Sequence, residues 1–119
     1  MTMNKIIVIK ELLGGVIALS MDKGIILHEE LVENLNQGFN LTLDFSDVKV
    51  ASPFLNASIG ALFKDFTADE INNRITFINT SLSTEQTLSA VKRNAERYFS
   101  NPQEAELTDK LIENVIKEV

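Results

Sequence analysis

The chain of 119 residues contains no cysteine. Disulfides, thiolate-bound metals and cysteine nucleophiles are thereby excluded, and the composition fits a reducing compartment. Histidine is nearly as scarce: His28 stands alone, so no zinc pattern exists and no Ser/His/Asp system can be assembled around it. Beside Glu29 and Glu30 it reads as a solvated side chain. Long apolar runs are missing too, since nothing approaches the roughly 20 residues of a membrane span. The short run Ile6–Ile9 between Lys5 and Lys10 is no secretory signal, which sets a cytoplasmic expectation and no membrane partner. Basic residues are the minority, 11 against 17 acidic, giving a net charge of −6. That balance argues against nucleic acid, whose phosphates demand neutralising cations. The cluster Lys92, Arg93 and Arg97 has Glu96 within it and reads as solvated surface.

Gly14-Gly15 and the later glycines match neither a phosphate loop nor a dinucleotide fingerprint. Asp44, Asp47, Asp65, Asp69 and Glu70 have no recognisable metal-loop spacing. No catalytic residue, metal or cofactor is therefore assigned, and the chain is read as a non-enzyme. Asp44 is set apart, because it ends a strand just before a helix start and suits the anchoring of the intervening loop.

What the sequence does contain is a core. An apolar fraction of 45% with 24% charged residues is that of a folded domain, and the length suits one. Residues 1–119 are read as a single unit with its core at about 5–100. Lys5–Lys10 and Val16–Leu19, separated by Gly14-Gly15, read as an antiparallel hairpin. Met21–Gly24 reads as a break, and Leu27, Leu31 and Leu35 then mark a helix over 25–37 stopped by Gly38. Leu41–Phe45 reads as a strand and Ser46–Ala51 as a loop. Ser52-Pro53 opens a helix, serine as cap and proline first inside, running to about Phe66. Asn72-Asn73 reads as a break before a strand at Arg74–Ile78. Ser83 with Gln86 forms a capping box for a helix through Tyr98, and Gln103–Val119 reads as a last helix with Leu111, Ile112, Val115, Ile116 and Val119 on one side.

The run Leu43-Asp44-Phe45-Ser46-Asp47-Val48, followed after a short gap by Ser52-Pro53-Phe54-Leu55 and an apolar helix, resembles the STAS and STAS-like domains. These include the anti-sigma factor antagonists of bacteria. The order of elements is similar over roughly residues 5–100. The resemblance implies an α/β fold: a mixed β-sheet of about four strands with helices mostly on one face, plus here an extra C-terminal helix. In the antagonists the loop before this helix carries aspartate, two serines and glycine, and a partner kinase phosphorylates the first serine. Ala51-Ser52-Pro53-Phe54 keeps only that serine, a pattern closer to the STAS-like branch.

By this resemblance the chain is expected to be a regulatory protein-binding module. Its partner would be a histidine-kinase-like ATPase or an anti-sigma factor. The expected contact set is Asp44, Asp47, Ser52, Pro53, Phe54 and Asn56, with Ser52 as the phosphorylation candidate; otherwise Ser52 serves only as a helix cap. The alternative is a self-associating accessory subunit, a homodimer joined through the 103–119 helix.

Overall fold

The computed structural model describes residues 3–100. Five helices and two small sheets follow one another along the chain: β1 (Met3–Val8), α1 (Ile9–Leu13), β2 (Ile17–Ala18), α2 (Met21–Asn36), β3 (Phe39–Asp44), β4 (Lys49–Val50), α3 (Ser52–Ser58), α4 (Ala68–Arg74), β5 (Ile75–Ile78) and α5 (Leu82–Ser100). A 3₁₀ segment, Gly60–Lys64, links α3 towards α4. The expected helix at 103–119, with any self-association through it, lies outside the described residues.

The α/β class holds, but the sheet differs from expectation. One sheet has three strands in the order β1-β3-β5 and the other pairs β2 with β4, and every pairing is parallel. The antiparallel hairpin does not form. After β1 the chain winds directly into α1, and Gly14, at φ 70°, closes that helix by donating to the carbonyls of Glu11 and Lys10. The short segment Val16–Ala18 is thereby carried away from β1, and its partner is the stretch before α3: the Lys49 amide donates to Val16 at 2.8 Å and that of Ala51 to Ala18 at 3.2 Å.

The main sheet buries one face. Ile7, Leu41, Leu43, Phe45 and Ile75 are buried, whereas Ile6, Thr42 and Thr76 share a row of the register on the other face and are not. Leu27, Leu31 and Leu35 give α2 the apolar stripe that the sequence shows. Phe54, Leu55, Ile59 and Leu62 complete the same core. Arg74 fastens its rim, its Nη2 donating to the carbonyls of Leu35 at 2.8 Å and Phe39 at 2.9 Å.

Local boundaries shift for identifiable reasons. Met21–Gly24 is the first turn of α2 and not a break; Ser20 caps it, its hydroxyl accepting from the Lys23 amide. Gly24 is there for close packing, because a Cβ would fall 2.5 Å from the Phe54 carbonyl oxygen. The expected helix through Phe66 is split into α3 and the 3₁₀ segment. Asn72 and Asn73 sit inside α4, which Thr67 and Glu70 start with a reciprocal capping box. For α5 the capping serine is Ser81 and not Ser83: its hydroxyl accepts from the Thr84 amide at 3.1 Å and its carbonyl from the Glu85 amide at 2.9 Å.

Candidate functional site

The helix start singled out in the sequence stands where the β2–β4 pair ends. Ala51, in extended conformation, is the N-cap of α3, so Ser52 is the first helical residue and Pro53 follows within the first turn. Ser52 does not cap the helix: no side-chain cap bond exists there, and its hydroxyl has no hydrogen-bond partner among the described residues. The one-residue shift has a local cause. The Ala51 amide is already fixed on Ala18 by strand pairing, which sets Ala51 as the last extended residue.

Ser52, Pro53 and Asn56 are exposed. Phe54 is not. At 0% exposure its ring is core, so its assignment as a contact residue is corrected: helical spacing turns it inward with Leu55 while Pro53 and Asn56 face out. On one side of α3, Pro53, Asn56 and Ala57, with Ala61 of the 3₁₀ segment, meet Met21, Ile25 and His28 of α2 in an open, largely apolar groove of about 580 Å³. On its other side, Ser52 and Asn56 line a smaller, more polar depression of about 340 Å³ with Gln86, Thr87 and Asn94 of α5.

The groove floor is rigidly built. Gly24 lets α2 approach the backbone of α3. Ser58, fully buried, donates through Oγ to the Phe54 carbonyl at 2.8 Å. His28 is half-buried and not simply solvated: Nδ1 lies 3.1 Å from the Ser58 carbonyl. A carbonyl only accepts, so Nδ1 carries the proton and donates.

Asp44 and Asp47 belong to a different place, the carboxyl end of the three-stranded sheet. Asp44 accepts from the Ser46 amide at 2.9 Å, from the Ser46 hydroxyl, and from Asn79 Nδ2 at 2.9 Å. These bonds, the Ser46 hydroxyl foremost, and the more distant Lys10 charge lower the Asp44 pKa from its ordinary value. Loop anchoring, as the sequence suggests, is what the carboxylate does. Asp47, in a left-handed turn at φ 61°, pairs with Lys10 at 3.1 Å. A second depression, lined by Asp47, Val48, Asn79, Ser81 and Thr84 among others, opens here. No hydrogen bond or ion pair among the described residues joins this set to Ser52, Pro53 or Asn56. The six expected contact residues therefore divide into an anchoring pair, a core ring and three exposed groups.

Sequence reasoning missed the α2 half of the groove. Ten large apolar residues are exposed among the described residues, and Val16, Ile17, Leu19, Met21, Ile25 and Ile26 fall in one short stretch. Such a concentration differs from scattered exposed apolar residues, which mean little. The signal was available: Met21 and Ile25 lie off the Leu27–Leu31–Leu35 stripe at helical spacing.

Among the described residues no group of three metal-ligating side chains converges, and no helix is long and apolar enough to cross a membrane. A family model, described as a STAS-like domain of unknown function, matches residues 23–85, from the first turn of α2 to that of α5. No curated protein and no solved structure matches the chain.

Proposed function

The chain belongs to the STAS-like domain family, and on that premise we propose that it is a non-catalytic regulatory module that docks a protein partner through the start of α3. One observation carries this reading: Ser52, Pro53 and Asn56 are open to solvent beside an apolar groove, and the Ser52 hydroxyl is spent on no internal bond. A serine needed only for capping would be bonded to the first-turn amides. The partner class is a histidine-kinase-like ATPase or an anti-sigma factor, with Ser52 as phosphate acceptor. Phosphorylation there would add about 1.5 to 2 negative charges at the start of α3, beside the depression shared with α5, and alter the contact directly.

Calorimetric titration with the histidine-kinase-like ATPase proteins of the same organism tests the reading. Binding is expected, and Ser52→Arg, which sets a long cation at the start of α3, is expected to weaken it by about tenfold or more. With ATP present, intact mass should show one added phosphate that Ser52→Ala abolishes. A folded protein that binds none of these partners refutes the proposal.

A further inference from the structure

We infer that the partner reaches this face with a basic amphipathic helix, laid along the outer side of α2. The inference rests on the reading above only in taking the α2–α3 face as a docking surface. Its argument is the chemistry of α2 itself. Ile25 and Ile26 are 43% and 48% exposed, and Met21 is 60% exposed beside the groove. At about 100° per residue, positions 22, 29 and 33 fall within some 40° of one another, between the directions of Ile25 and Ile26 or close beside them. Asp22, Glu29 and Glu33 occupy those positions, all exposed and none in an ion pair with another described residue. The one lysine of the helix, Lys23, is turned away to the Ile17 carbonyl at 2.8 Å. Lys5 also reaches α2 but is engaged there by Asn34 at 3.0 Å and Glu30 at 3.9 Å, and Lys49 stands opposite Ile17 in the β2–β4 pair.

The surface therefore offers apolar side chains and uncompensated negative charge on one helix face. An anionic membrane has the apolar part but the wrong charge, and so does nucleic acid. A second copy of this chain would set Asp22, Glu29 and Glu33 against their own like. A helix with leucine-type residues on one stripe and lysine or arginine flanking it satisfies both requirements, by the helix-in-groove mode.

The test is titration of the isotope-labelled full chain with three synthetic peptides, followed by amide shifts. The first is an amphipathic leucine–lysine helix, the second its leucine–glutamate counterpart, and the third has the first's composition scrambled to destroy the stripe. The leucine–lysine helix is expected to shift amides along α2 and to bind about tenfold tighter than either control. E29K/E33K should reverse the preference for lysine over glutamate, and Ile25→Asp should weaken binding about tenfold, both variants keeping the wild-type circular dichroism. Equal binding of the three peptides, shifts centred away from α2, or no binding of the first overturns the inference. The two proposals fail separately. An ATPase partner whose affinity responds to Ser52→Arg but not to E29K/E33K sinks this inference alone. Peptide binding as expected, with no ATPase bound, sinks the functional reading and leaves this one standing.

Discussion

Replacing Gly24 by alanine is predicted to destabilise the protein, although the same change inside an ordinary exposed helix stabilises it by about 0.8–1.0 kcal/mol. The added methyl would lie 2.5 Å from the Phe54 carbonyl oxygen and 2.8 Å from the Ala57 Cβ. Unstrained contacts between such atoms need about 3.5 Å, so α2 must retreat from α3 by roughly 1 Å. That retreat loosens Leu27, Leu31, Phe54 and Leu55, all fully buried. Overpacking of this kind costs about 1–3 kcal/mol, and the steric term falls on backbone that cannot rotate away. Because that backbone cannot move aside, the upper part of the range, about 2–3 kcal/mol, applies; with the propensity gain subtracted, a net loss of about 1–2 kcal/mol is expected, or a melting temperature lower by about 4–16 °C. Urea unfolding followed by circular dichroism measures it. Gly15→Ala is the control: nothing lies within 4 Å of its added Cβ, and its stability should change by no more than about 0.5 kcal/mol. A Gly24→Ala protein as stable as wild type would refute the close-packing argument and with it the geometry of the groove.

Other perturbations separate core from surface. Phe54→Ala should cost about 3–5 kcal/mol in the same urea assay, whereas Asn56→Ala should fall within about 0.5 kcal/mol of wild type. Arg74→Ala should cost about 1–3 kcal/mol, and Arg74→Lys should not restore it, since one guanidinium nitrogen reaches two carbonyls from a planar fork. Asp44 gives a pH signature: its lowered pKa means its contribution is present above the ordinary carboxylate pKa of about 3.9 and is lost as pH falls through the lower folded value. Urea midpoints of wild type and Asp44→Ala should therefore differ at neutral pH and converge in strong acid. A gap that widens with acid contradicts the network around Ser46 and Asn79.

The parts legible in the sequence were those with long periodic patterns. The stripe Leu27–Leu31–Leu35, the strand at Leu41–Phe45 and the helix through Leu88 and Val91 all fold as their spacing dictates. Failures cluster where a local signal was outvoted by a distant contact. Gly14-Gly15 looks like a hairpin turn, but Gly14 closes a one-turn helix, and β2 finds its partner thirty residues on. Two-residue strands leave no periodicity to read. Gly24 imitates a break because its reason lies across the α2–α3 contact. Some errors had a readable remedy: Thr67 with Glu70 is a capping box announcing α4, and Asn72-Asn73 was given more weight than it bears. At the site, Ser52 and Pro53 were correctly placed at a helix start. The division of Asp44 and Asp47 from Ser52, and the inward turn of Phe54, depend on tertiary placement that spacing alone does not encode.

Hydrogen–deuterium exchange on the chain, free and in the presence of a histidine-kinase-like ATPase of the same organism, tests the docking face most directly. New protection is predicted over residues 19–29 and at the start of α3 around Pro53 and Asn56. Protection confined to the sheet end around Ser46 and Asn79, with the α2–α3 face exchanging as in the free protein, would contradict the account.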